Sequence, residues 1–167
     1  MRAIRPVLLT LGFAILAACA DPLTGGAETM NFAETQEAVA PAIPMHPNET
    51  PELRSLINRY ADLYEIPRTL LHRVIIREST HRPGARNGPY YGLMQILPAT
   101  ARSMGFKGEP SDLLDAETNL KYAGKYLRGA WLLSHGSEAE AVKWYSRGYY
   151  YEAKRQGKLV ETGLRAG

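Results

Sequence analysis

The stretch Thr50-Pro51-Glu52 divides this chain into two parts that obey different rules. A threonine ahead of a proline and an acid is a helix start. The hydroxyl caps free N–H groups, the proline sits where its missing donor costs nothing, and the acid faces the positive end of the dipole. Beyond this point apolar residues recur at helical spacing, and ahead of it they do not. Only the residues from Thr50 to about Gly157, just over a hundred, carry a pattern able to bury a core, which is enough for one small domain. No internal repeat is visible.

The helical part reads as a series of short elements. Leu53, Leu56, Ile57, Tyr60 and Leu63 form a first stripe, ended at Glu65-Ile66-Pro67. A second helix is predicted over Arg68–Ser79. The next segment, THRPGARNGPYYG, holds two prolines and three glycines and predicts a loop with at most a short hairpin. Helix restarts at Pro98 and stops near Gly105, and 106–112 is a loop. Asp115 or Thr118 caps a long helix, and one last long helix runs from Glu138 to about Gln156 with Gly157 as its stop. The fold class is therefore mainly α, with a minimal β element.

The other part carries an address and a spacer. Arg2 and Arg5 precede the uncharged run PVLLTLGFAILAA, which is too short to span a bilayer comfortably and reads as a signal peptide. The chain's one cysteine, Cys19, follows Leu16-Ala17-Ala18. That run resembles the bacterial lipobox, where cleavage precedes an acylated cysteine; an ordinary secretory signal with an incidental cysteine is the plainer alternative. One cysteine allows no intramolecular disulfide. Residues 20–50 are rich in Pro, Ala, Thr and Glu and lack periodicity, as a disordered tether would. About thirty flexible residues would span roughly 30 Å. The expected layout is a signal peptide over 1–18, a lipidated cysteine and tether over 19–50, a folded domain over 51–157 and a tail over 158–167.

Charge excludes one class of partner. The full chain has 20 basic and 17 acidic side chains; loss of Arg2 and Arg5 with the signal leaves 18 against 17, a net of about +1. Nucleic-acid binding needs a clustered basic surface, and none is predicted. The arginines from Arg73 to Arg86 read as a solvated face, or as a means of steering an anionic polymer. His46, His72, His81 and His135 have no metal-ligand spacing, and no cofactor is implied. Trp131, Trp144, Met94, Met104 and the tyrosines 149–151 read as packing groups.

One position breaks the pattern. Leu71, Val74 and Ile75 define the apolar face of the second helix, and Glu78 falls at i+7 on that same face. A carboxylate aimed at a core is costly unless it is paired, hydrogen-bonded or protonated. A salt-bridged glutamate at a fraying helix end is one reading. A general acid is the other.

From Glu78 onward the pieces assemble into a known pattern. Glu78-Ser79 is followed by Pro83, then by GLMQILPATA from Gly92 to Ala101. DLLDAETNLKYAGKYL from Asp112 to Leu127 and WYSRG from Trp144 to Gly148 complete it. Over about residues 52–150 this resembles the lytic transglycosylases of the soluble-transglycosylase type, which have a small lysozyme-like (α+β) domain. The resemblance implies peptidoglycan glycan strands as substrate and Glu78 as the single catalytic acid/base, with Ser79 beside it. It implies a groove lined by Gly92, Leu93, Met94 and Gln95, with Gln95 bonded to the glycan. Asn119 and Tyr126 would build the helix behind the site, and the Tyr145 hydroxyl would face Glu78. Three departures touch the groove: Ser146 where the family has asparagine, a loop one residue shorter with Asn87 near the usual serine, and Leu97 in place of methionine.

Glycosidases ordinarily use two carboxylates. Asp112, Asp115 and Glu117 look like loop and helix-start groups instead. The family's solution is internal attack, in which Glu78 protonates the glycosidic oxygen and then deprotonates the muramyl 6-hydroxyl to close a 1,6-anhydro ring. Two rivals share the resemblance: a muramidase that hydrolyses the same bond, and a peptidoglycan-binding lipoprotein without efficient turnover. The expected location is the periplasm, lipid-anchored, with the outer membrane favoured over the inner.

Overall fold

The computed structural model describes residues 43–165. The expected signal peptide, Cys19 and the expected tether up to residue 42 lie outside the described residues.

Helix α1 (Pro51–Leu63) begins as the sequence predicts, with the Thr50 hydroxyl accepting from the Leu53 amide. Pro67 precedes α2 (Arg68–Ser79). The hairpin consists of β1 (Arg86–Asn87) and β2 (Tyr90–Tyr91), antiparallel, with Arg86 opposite Tyr91 and Asn87 opposite Tyr90. Its turn uses Gly88 at positive φ. Helix α3 (Pro98–Ser103) and a 3-10 turn (Pro110–Leu114) lead to α4 (Ala116–Leu132), capped by Asp115 through the Thr118 amide. Two helices follow, α5 (Glu138–Arg147) and α6 (Tyr150–Arg155).

Helix α4 is the axis of the domain, packing against α1, α3 and α5. Its buried stripe of Leu120, Ala123, Leu127 and Ala130 belongs to one core with Ile57 from α1 and Leu71 and Ile75 from α2. Leu71, Val74 and Ile75 are essentially inaccessible, so the face on which Glu78 stands is the core face. Burying a leucine-sized side chain stabilises by about 1.5–3 kcal/mol, so this face fixes the rotation of α2 firmly.

Three boundaries differ from expectation. The last helix is not continuous: Gly148 adopts φ 84° and turns the chain between α5 and α6. The turn lets Tyr149 bury itself and donate to the Tyr126 carbonyl at 2.8 Å. Residues 43–49, polar and proline-containing, pack onto the domain instead of belonging to a tether. Arg54 donates to the carbonyls of Ile43 and Pro44, and Glu49 is buried. The tail is also docked, since Thr162 is buried and Lys158 donates to the Leu132 carbonyl.

Candidate active site

Helix α2 ends on an unusual turn. Thr80 and His81 both adopt left-handed backbone conformations, at φ 52° and 59°. Each costs about 1–2 kcal/mol in a residue with a Cβ. The turn is held from three sides. Asn48 donates to the Thr80 carbonyl, Arg82 Nε donates to the Ser79 carbonyl, and the Ser79 hydroxyl donates to the Leu93 carbonyl at 2.7 Å. Glu78 projects from the last turn of α2 just ahead of this clamp.

Glu78 stands between two connected hollows. One, of about 530 Å³, is lined by Arg77, Tyr90, Tyr126, Tyr145 and Arg147 among others. The second is lined by Arg82, Ala85 and Arg86 among others; Glu78, Asn87 and Gln95 line both. Among the lining residues Glu78 is the only carboxylate. Its side chain is 23 % exposed, and its nearest cation is Arg77, at 3.7 Å. No hydrogen bond reaches its carboxyl among the described residues. Burial pushes the Glu78 carboxyl above the usual carboxylate range, and the Arg77 charge opposes this only in part. A carboxyl that holds its proton in an open cleft is equipped to be a general acid.

The strip Gly92–Gln95 is placed differently from the expectation. Leu93 and Met94 are fully buried in the core, and Gly92 is enclosed. A Cβ on Gly92 would lie 2.2 Å from both the Asn119 amide nitrogen and the Leu113 carbonyl oxygen, so only glycine fits there. Of the four, Gln95 alone lines the cleft. Its amide nitrogen is bound to the carbonyls of Ala85 and Gly92, which leaves its carbonyl oxygen for a ligand. Its φ of 47° is what turns the side chain back onto the loop.

Ser79 and Asn119 likewise support the groove and do not line it. Ser79 is buried with its hydroxyl on Leu93. Asn119 is fully buried, accepts from the Met94 amide and donates to the Tyr91 and Leu113 carbonyls. One amide thus pins two points of the loop that carries Gln95 and ties it to the 3-10 turn at Leu113. The Tyr145 hydroxyl donates to the Met94 carbonyl at 2.8 Å and is not a hydrogen-bond donor to Glu78. Burial first, then the nearby Glu78 charge, keeps this phenol protonated far beyond the ordinary tyrosine range. Tyr126, edge-on to Tyr145, lines the same hollow.

Sequence reasoning did not single out Tyr90, Thr100 or Arg147 as lining groups. Their signal was weak, because exposed polar residues on a loop and at a helix end carry no periodicity. The histidines also held a surprise. Folding brings His72 and His81 beside Glu49, whose carboxylate lies 3.5 Å and 3.6 Å from their ring nitrogens. Arg54 binds both Glu49 oxygens, so a dication there would sit beside a guanidinium. The set is a buried buttress under the turn at Thr80 and His81.

A mainly helical lysozyme-like domain with one carboxyl in an open cleft is the class that fold and site define. The family model of the transglycosylase SLT domain matches residues 55–158, and the chain belongs to that family. Membership brings a function of the peptidoglycan lytic transglycosylase type, with peptidoglycan as the substrate. No solved structure matches the chain.

Proposed function

We propose that this protein cleaves the bond between N-acetylmuramic acid and N-acetylglucosamine without water, leaving 1,6-anhydromuramic acid ends. The observation that carries this reading is the solitary Glu78: one carboxyl without a hydrogen-bond partner among the described residues lies in the cleft, and no second carboxylate lines it. A two-carboxylate hydrolysis has no second member among the lining residues.

The steps follow from that one group. Glu78, protonated, gives its proton to the glycosidic oxygen as the bond from muramyl C1 breaks. Positive charge then develops at C1, where the substrate's own N-acetyl oxygen can shield it. The Glu78 carboxylate, now steadied by Arg77, accepts the proton of the muramyl 6-hydroxyl as O6 bonds to C1. Glu78 ends protonated, and no water enters the products. A raised affinity for protons serves the first half-step, and the neighbouring guanidinium serves the second.

Cys19 is proposed to carry the lipid after cleavage ahead of it, which would hold the domain in the periplasm on a membrane, with the outer membrane favoured. A Cys19→Ser variant is then expected in the soluble fraction, and continued membrane association would remove the anchor.

The test of the chemistry is mass spectrometry of fragments released from purified peptidoglycan, with Glu78→Gln as control. Anhydro ends formed by wild type and absent with the variant support the reading. Products heavier by one water would make the protein a hydrolytic muramidase, and no release by folded wild type would leave it a binding protein.

A further inference from the structure

The arginines of this domain fall into two groups. Arg54, Arg59, Arg68, Arg73, Arg128 and Arg155 each lie within 4 Å of a carboxylate outside the cleft. Arg82, Arg86 and Arg147 have no such partner among the described residues, and all three line the cleft. Arg77 lines it too, and its one carboxylate neighbour within 4 Å is Glu78 itself, at 3.7 Å. Among the described residues, only Arg102 and Arg165 share this lack of an acid away from the cleft.

The cleft arginines are held by other means. The Arg147 guanidinium lies over the Trp144 ring at 4.5 Å, and that of Arg86 over Tyr91 at 4.8 Å. Arg82 is anchored through Nε on the Ser79 carbonyl. These contacts fix the side chains yet leave the terminal N–H groups of Arg82, Arg86 and Arg147 without a partner among the described residues. A preset guanidinium with free terminal donors matches a carboxylate in two-point geometry. The pairs line different hollows that share Glu78: Arg77 and Arg147 in one, Arg82 and Arg86 in the other.

A glycan of N-acetylated sugars offers no charge except through the muramyl lactyl group. In peptidoglycan that group is amide-linked to a peptide stem, which carries the free carboxylates. We propose that the two arginine pairs are binding sites for stem carboxylates on either side of the scissile bond, so that stem-bearing strands are selected over bare glycan. This rests on the transglycosylase reading for the reaction, but the binding itself does not require turnover.

The experiment therefore reads binding and cleavage separately. Full-length protein is tested on purified sacculi and on the same sacculi whose stem carboxylates have been converted to neutral amides with a carbodiimide and excess amine, which leaves the glycan intact and insoluble. Glu78→Gln is used in the pelleting assay, so that loss of chemistry cannot mask recognition. Binding to untreated sacculi is expected to be about tenfold tighter than to amidated sacculi, and the difference should shrink as salt rises from 50 to 200 mM. Arg82→Gln/Arg86→Gln and, separately, Arg147→Gln in the Glu78→Gln background should each remove most of that difference. Arg102→Gln should not. Equal binding to both sacculi, or an equal loss on both in the arginine variants, overturns the proposal. If binding discriminates as expected but wild type releases no anhydro product, the stem sites stand and the transglycosylase reading falls.

Discussion

Helix α2 is flanked by two glutamates that solve the same problem in opposite ways. Glu49, packed beside His72 of α2, has a side chain of 0 % exposure, and Glu78, at the end of α2, one of 23 %. Burial raises the proton affinity of both. At Glu49 the Arg54 guanidinium and the His46 amide outweigh it, and the carboxyl falls below its ordinary range. At Glu78 only Arg77 opposes burial, and the carboxyl stays above it. The first arrangement makes a fixed charge that holds the chain together. The second leaves a carboxyl with raised proton affinity open to the cleft, as the proposed proton donor must be. Satisfied partners mark structure and withheld partners mark chemistry.

The largest effect that would break this contrast is on rate. Glu78→Gln is expected to lower turnover at least about 10³-fold with the fold intact, a general acid and base being lost together. A variant that keeps a tenth of the activity would disqualify Glu78. The counterpart is a stability effect: Arg54→Ala should cost about 3–5 kcal/mol in denaturant melts, because it strands a buried carboxylate. Arg77→Ala, on an exposed side chain, should stay within about 0.5 kcal/mol. Similar losses in both would mean that the two glutamates are not differently supported.

A pH titration sharpens the comparison further. Burial, only partly offset by Glu49, lowers the His72 pKa to about 4, so the unfolded chain binds the proton more readily between the ordinary 6.5 and that value. Stability should therefore be complete above pH 6.5 and fall towards pH 4, by about 1 kcal/mol per pH unit at most. His72→Gln should flatten that slope. The sign at Glu78 runs the other way for function: the active form is protonated, so kcat/KM should fall as pH rises through its raised pKa. Arg77→Gln removes the opposing charge and should shift that limb to higher pH; an unmoved limb would detach Arg77 from Glu78. Smallest of all, Tyr145→Phe removes the bond to the Met94 carbonyl and should cost about 1 kcal/mol of stability. A several-fold loss of rate should accompany it if Met94 sets the position of Gln95.

Much of this domain was legible because it rests on local chemistry. Thr50 as cap, Asp115 as cap, the break at Pro67 and the core face of Leu71, Val74 and Ile75 all depend on residues a few positions apart. Glu78 was legible for the same reason, as a charge on an apolar stripe. Gly148 was not read as a helix break, because the turn there depends on the burial of Tyr149 over α4. Residues 43–49 were not read as part of the fold, since their composition resembles a tether and their reward is an ion pair with Arg54.

The sequence by itself therefore determined most of the helices, the extent of most of the core and the place of Glu78 on the core face of α2. Periodicity and capping act over single turns and need no knowledge of neighbours. Only the tertiary structure decided what each polar group faces. It turned Ser79 and Asn119 inward as bolts, buried Leu93 and Met94, and gave the Tyr145 proton to Met94 instead of Glu78. It also gathered Glu49, His72 and His81 into one buttress and left Arg82, Arg86 and Arg147 without acids around the cleft. Partnership is a property of distances in space, and residues far apart in the chain acquire it only when the helices pack.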